Sequence, residues 1–227
     1  MGRTLFTGIV CLFAGTSHAQ STPITGATCV STGVVEVTRT ILITSGVLDG
    51  GCKTYVPKNM NADSTGEETA REALMFKVEN GAKLRNVIID QGRAATARAI
   101  EIRNGATLEN IKIAHAFGDT FIAIKSTGTV NISGITSPGK LSLDRHIVGV
   151  GSGLTLKVSN SIFTQAPRVY RQNGLTTYPT CVSFDRCDFS NISNAVVRTD
   201  SAVSTAAITN SRLHNVKQVC LGYAPDN

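Results

Sequence analysis

Apolar and polar residues alternate in short runs along most of the chain, and Gly, Asn and Ser separate one run from the next. A period of two in Val-, Ile- and Leu-rich runs predicts strands bounded by turns and argues against helices, whose apolar positions recur every 3.6 residues. The runs are also copies of one another. Gly81-Ala82-Lys83-Leu84-Arg85-Asn86-Val87-Ile88-Ile89 recurs as Gly105-Ala106-Thr107-Leu108-Glu109-Asn110-Ile111-Lys112-Ile113. Looser copies follow at Gly128-Thr129-Val130-Asn131-Ile132, Gly153-Leu154-Thr155-Leu156-Lys157-Val158, Val182-Ser183-Phe184-Asp185-Arg186 and Ala207-Ile208-Thr209-Asn210-Ser211.

Leu84, Leu108, Val130, Leu156, Phe184 and Ile208 read as one recurring position, and the steps between them are unequal. A unit of about 22–28 residues is too small to bury its own apolar face, so successive units must stack, with aliphatic ladders inside and polar residues outside. The expected fold is all-β, a single-stranded right-handed parallel β-helix with one unit per coil. Asn86, Asn110 and Asn131 then read as corner residues, because Asn tolerates positive φ and its amide hydrogen-bonds along a turn. Residues 53–73 are polar and read as a loop or insertion, with a short helix over 69–76, and residues 172–179 read as a second loop.

The first nineteen residues stand apart. Arg3 gives a basic start, residues 5–15 are an apolar run, and Ser17-His18-Ala19 offers a cleavage site ahead of Gln20. The run is short of the ~20 residues that cross a bilayer. It is therefore read as a signal peptide, with residues 20–227 as one secreted, extracellular domain and no membrane partner.

The whole chain has a formal net charge of +6. Loss of Arg3 with the leader leaves 21 Lys and Arg against 16 Asp and Glu. A basic secreted protein favours acidic partners. With no Trp and few aromatic residues to stack bases, nucleic acid is excluded in favour of acidic polysaccharide. Cys29, Cys52, Cys181, Cys187 and Cys220 remain after the leader, an odd number whose pairing the sequence leaves open. No Cys-x-x-Cys pair points to zinc. Asn131-Ile132-Ser133 and Asn191-Ile192-Ser193 fit the N-glycosylation pattern. The default for a small solenoid with capped ends is a monomer.

Val47-Leu48-Asp49-Gly50-Gly51-Cys52-Lys53, the unit at 81–89, Thr107-Leu108-Glu109-Asn110 and Arg168-Val169-Tyr170-Arg171 resemble, in order and spacing, the class III pectate lyases (polysaccharide lyase family 3). The resemblance runs from about Val37 to Cys220. It implies calcium-dependent β-elimination in polygalacturonate, in which a base takes the C5 proton while cations hold the charge that develops on the C6 carboxylate. The family's lysine base falls on Arg145 in Asp144-Arg145, and its Lys-Leu-Tyr-Arg motif falls on Arg168 to Arg171. Arginine is a difficult base, with an intrinsic pKa above ~12, although it serves that role in other pectate lyases. Arg145, Arg168 and Arg171 are the expected catalytic residues, in a cationic cleft crossing adjacent coils.

The family's calcium ligands match less well. Asp119 keeps one acid, Arg98 stands where another is expected, and Glu101 or Asp90 is the available substitute. Calcium takes six to eight oxygens, so a salt bridge between Arg98 and Asp119 is the alternative to a metal site. The competing expectation is a pectin-binding homologue that keeps the basic groove without the chemistry. His115, His146 and His214 have no evident partner and read as turn or surface residues.

Overall fold

The computed structural model describes residues 10–14, 23–60, 74–92, 98–115, 120–139, 144–150, 153–173, 179–201 and 203–222. Within them the chain forms strands and turns, and the strands pair in parallel in a solenoid of about six turns. This is the expected parallel β-helix. Each coil crosses three faces. Lys83–Asp90 and Thr107–His115 begin on the first face, turn at an asparagine and continue onto the second. Leu74–Val78, Arg98–Arg103, Thr120–Lys125 and Arg145–Val150 form the third, joined there by the far ends of Ile162–Asn173 and Asp188–Arg198.

The inward ladder of the first face pairs Leu84 with Leu108, Leu108 with Ile132, Ile132 with Val158, Val158 with Phe184 and Phe184 with Ile208. Steps on this face are thus more even than the sequence repeat suggests. Val130 and Leu156, the expected partners of Leu108 and Phe184, sit two positions away from the residues that pair there. Strand side chains alternate with a period of two, so a slip of two keeps every apolar residue inside. Val130 and Leu156 are themselves buried. Coil length varies more on the third face, where the step from Ile100 to Ile122 is short and that from Tyr170 to Val197 is long.

The corner shifts as well, by three positions. Asn86 and Asn110 take left-handed φ values of 53° and 55°, and the Asn110 amide donates to Asn86 Oδ1 at 2.8 Å. In the next coil Gly134, with φ 64°, stands at the corner, while Asn131 lies exposed within the strand Gly128–Ser137. A Cβ at Gly134 would lie 3.5 Å from the Asn110 backbone and the Gly26 carbonyl oxygen, so backbone conformation is the main obstacle to a side chain. Gly134→Ala is expected to cost about 1 kcal/mol, a fall of about 2–4 °C in thermal denaturation. An unchanged midpoint would show that the corner tolerates a Cβ.

Residues 23–33 run across the coils along this corner as a strap. The Thr25 N–H donates to Asn160 Oδ1 (3.1 Å), Ala27 N–H to Thr136 Oγ1 (2.8 Å) and Thr28 N–H to Asn110 Oδ1 (2.7 Å), and Cys29 forms a disulfide with Cys52. Cys181 and Cys187 are free thiols.

Two expectations change. Residues 53–57 end the strand Val47–Pro57, and Leu74–Val78 is a strand, not the end of a helix over 69–76. Phe76 pairs with Ile41 and Ile100, and Met75 and Phe76 are fully buried, so packing decides the local conformation. Residues 61–73 lie outside the described residues. Of the second expected loop, Gln172 and Asn173 belong to Ile162–Asn173, and residues 174–178 lie outside the described residues.

Candidate active site

On the third face Ile100, Ile122, Ile147 and Tyr170 pair along the inside, and their sequence neighbours Glu101, Ala123, Val148 and Arg171 form the adjacent outer row. Arg198 extends that row by one coil beyond Arg171. Ala123 and Val148 are fully buried although they lie outside the core cluster. The outer row is therefore a sheltered floor, where charge is screened less than on open surface.

Asp144 organises the cationic side chains at the edge of this floor. The register sets Arg145 beside Arg168, and the Arg168 N–H donates to the Asp144 carbonyl at 3.2 Å. One carboxylate oxygen of Asp144 accepts a hydrogen bond from Nη1 of Arg145 and the other accepts one from Nη1 of Arg168. Arg171 Nη1 lies 3.7 Å from Asp144, and Arg198 Nε lies 3.9 Å from Asp200. Four guanidinium groups are thus gathered around Asp144 and Asp200. They lie where desolvation and mutual repulsion make charge costly.

Exposure separates the arginines. Arg145 is 5% exposed, the Arg168 side chain 13% and the Arg171 side chain 27%. Burial lowers the pKa of Arg171, with Arg145, Arg168 and Arg198 adding to the effect and Asp200 opposing it. Arg171 is therefore the member of the triad most open to a ligand and is pushed towards its neutral form. Arg145, which the family motif marks as the base, is the least accessible of the three.

Asp119, the expected metal ligand, lies outside the described residues, as does the Arg98 side chain, so the salt bridge between them is not described. The two substitute acids are engaged elsewhere. Glu101 is 2% exposed and accepts hydrogen bonds from Arg103 (2.6 Å) and Lys125 (3.1 Å). Burial is the largest influence on Glu101 and raises its pKa, yet the two hydrogen bonds and cationic charges together hold it below the usual range. Asp90 accepts from the Gly92 N–H at 2.9 Å and lies 3.1 Å from His115 Nδ1. No group of three or more acidic, His or Cys side chains is gathered among the described residues. With Asp144 committed to arginines, the described residues do not fit a calcium ion, which needs several carboxylate oxygens free to ligate it.

His115 and His214 are exposed, as expected. His115 nevertheless has the Asp90 partner that the sequence did not reveal. His146 overturns the surface expectation: it is 1% exposed, shares a 2.8 Å hydrogen bond with Ser137 Oγ and lies between Phe121 and Phe163. Sequence reasoning also missed Arg198. Its signal was spacing, since Arg198 follows Arg171 by one coil and pairs with it in register.

A parallel β-helix with a cluster of arginines at the edge of one outer face is suited to binding a negatively charged group. The family model described as pectate lyase matches residues 25–227. The chain belongs to the pectate lyase family, and the match takes in the strap as well as the coils. The family's activity is that of a lyase on polygalacturonate, and it generally uses calcium.

Proposed function

We propose that this chain is a secreted, monomeric lyase that cleaves demethylated polygalacturonate by β-elimination, with the reacting uronate bound at the Asp144 arginine cluster. The observation that carries this reading is the sheltered gathering of arginines around the partly exposed Arg171. Elimination removes the C5 proton, moves charge onto the C6 carboxylate and breaks the C4–O4 bond to leave a 4,5-double bond. Arg168 and Arg171 hold the carboxylate as that charge grows. Arg171, in its neutral form, takes the C5 proton. Arg145, fixed against Asp144, positions the other two and lowers the proton affinity of Arg171. The departing O4 takes a proton from water.

Calcium, when bound in this family, shares the substrate's negative charge. Asp119 is the ligand we propose for it, and no step above depends on it. Secretion requires loss of residues 1–19. In the full chain Val10–Ala14 pairs in parallel with Thr205–Thr209, so cleavage uncovers that strand edge.

The test is the ultraviolet absorbance of unsaturated uronate formed from polygalacturonate at alkaline pH, with added calcium and with chelator. Product in either condition is the expected result. A second reading, a pectin-binding homologue without turnover, is favoured by the commitment of Asp144 to its arginines. It predicts salt-sensitive binding of polygalacturonate and no product in any condition.

A further inference from the structure

A groove of about 630 Å³ lies where the second face turns into the third in the last coils. Gln165, Asn191 and Asn215 take left-handed φ values of 52°, 57° and 54° at successive corners and line it. The Asn215 amide donates to Asn191 Oδ1 at 2.8 Å, which fixes the orientation of both side chains. The half-buried Pro167 and Val216 give the groove apolar surface, and Lys217 supplies a cation. Lys217 is exposed and forms no ion pair with any described carboxylate.

The groove continues the line of the arginine cluster. Pro167 immediately precedes Arg168, at a register shift where the strand passes from one face to the next. Ile192 follows one coil later, and its carbonyl accepts the Lys217 N–H at 3.0 Å, which sets Lys217 a further coil along. At ~4.8 Å per coil, Lys217 stands roughly 10 Å along the axis from Pro167. That separation is roughly two sugar units of an extended chain.

We propose that this groove is a second binding subsite for the same polyuronate, running along the axis away from the bond that is cleaved. A uronate carboxylate pairs with Lys217, ring hydroxyls bond the Asn191 and Asn215 amides, and a ring face rests on Pro167 and Val216. The combination selects its occupant: a neutral glycan leaves the cation unpaired, and an apolar ligand leaves the amides unpaired. The inference rests on the reading of the chain as a protein that acts on polyuronate. Asn191 also heads a glycosylation sequon, and a glycan there would fill the groove, so the test uses protein from a host that does not glycosylate.

Lys217→Glu is compared with the unaltered chain for binding and turnover of long polygalacturonate and of trigalacturonate, with melting temperature as the check on folding. The expected result is about a tenfold loss of affinity for the polymer, read as Kd or KM, with the trimer changed less than about twofold. Lys217→Ala should show a smaller loss in the same direction. Unchanged polymer affinity, or equal losses for polymer and trimer, would overturn the subsite. Absence of product from the unaltered chain would sink the lyase reading while the polymer-binding comparison still decides the subsite.

Discussion

Arg171→Ala is expected to lower kcat on polygalacturonate by about a thousandfold or more, within the usual span for loss of a general base, while the fold survives. The side chain lies on the outside of the coil, opposite Val148 and Arg198, and fills no part of the core cluster. Its removal takes away the partly exposed guanidinium and leaves the Asp144 hydrogen bonds to Arg145 and Arg168 in place. The rate of the unaltered protein should rise with pH, because only neutral Arg171 accepts the proton and its neighbours bring that form nearer than in a free arginine. Arg171→Lys should keep measurable activity and move the rising limb to lower pH, since lysine starts near ~10.4 against ~12.5 or more for arginine. Steady-state rates across the alkaline range test both. If Arg171→Ala kept more than about a tenth of the rate, proton abstraction would pass to Arg145 or Arg168.

Asp144 explains why so many cations sit together. Guanidinium groups on adjacent coils repel at the ~4.8 Å spacing that parallel strands impose. A carboxylate between Arg145 and Arg168 relieves that repulsion and fixes both side chains, while Arg171, 3.7 Å away, is held less closely. The grip is therefore graded. The two arginines bound most tightly are also the two least exposed, which leaves the third free to meet a substrate.

The solenoid was legible because a stacked coil repeats its own chemistry. Leu84 and Leu108 recur at matching places in successive units for the same reason that they pair. What the repeat conceals is the exact register, so Val130 passed for Ile132, two positions on, and Asn131 for the corner that Gly134 occupies, three positions on. The arginines could be read as one-coil neighbours, and Arg145 and Arg168 are adjacent in register. Their burial could not be read, since it depends on how the coils pack against one another. Glu101 shows the same limit: a carboxylate that looks available as a ligand in sequence is enclosed by Arg103 and Lys125, one from its own strand and one from the next coil. His146 was misread because one polar residue in an apolar strand carries no mark of whether its polar atoms find partners inside.

Acid should destabilise this protein well before its carboxylates titrate, and His146 is the cause. Burial lowers its pKa to about 3, and the nearby Thr164 backbone opposes that shift only in part. A folded pKa below the unfolded value of ~6.5 contributes stability that is complete above pH ~6.5 and is lost as pH falls towards about 3. Between pH 7 and 5 the loss should be about 2 kcal/mol, since each pH unit below the unfolded pKa costs about 1.4 kcal/mol. Asp49, Asp185 and Glu101 also have lowered pKa values, but their contributions fade only below the ordinary carboxylate range, near pH 4. The interval from pH 6.5 to 5 therefore belongs to the histidine. Urea unfolding at pH 7, 6 and 5 should show this slope in the unaltered protein and a flat profile in His146→Phe. The phenyl ring continues the stack between Phe121 and Phe163 but leaves the Ser137 hydroxyl without its partner, so the variant should be less stable at pH 7. Equal slopes in the two proteins would mean that His146 accepts a proton without unfolding the coil. The expected slope shares its direction with the rate: neutral His146 holds the third face together and neutral Arg171 works on its outer side, so both favour alkaline conditions.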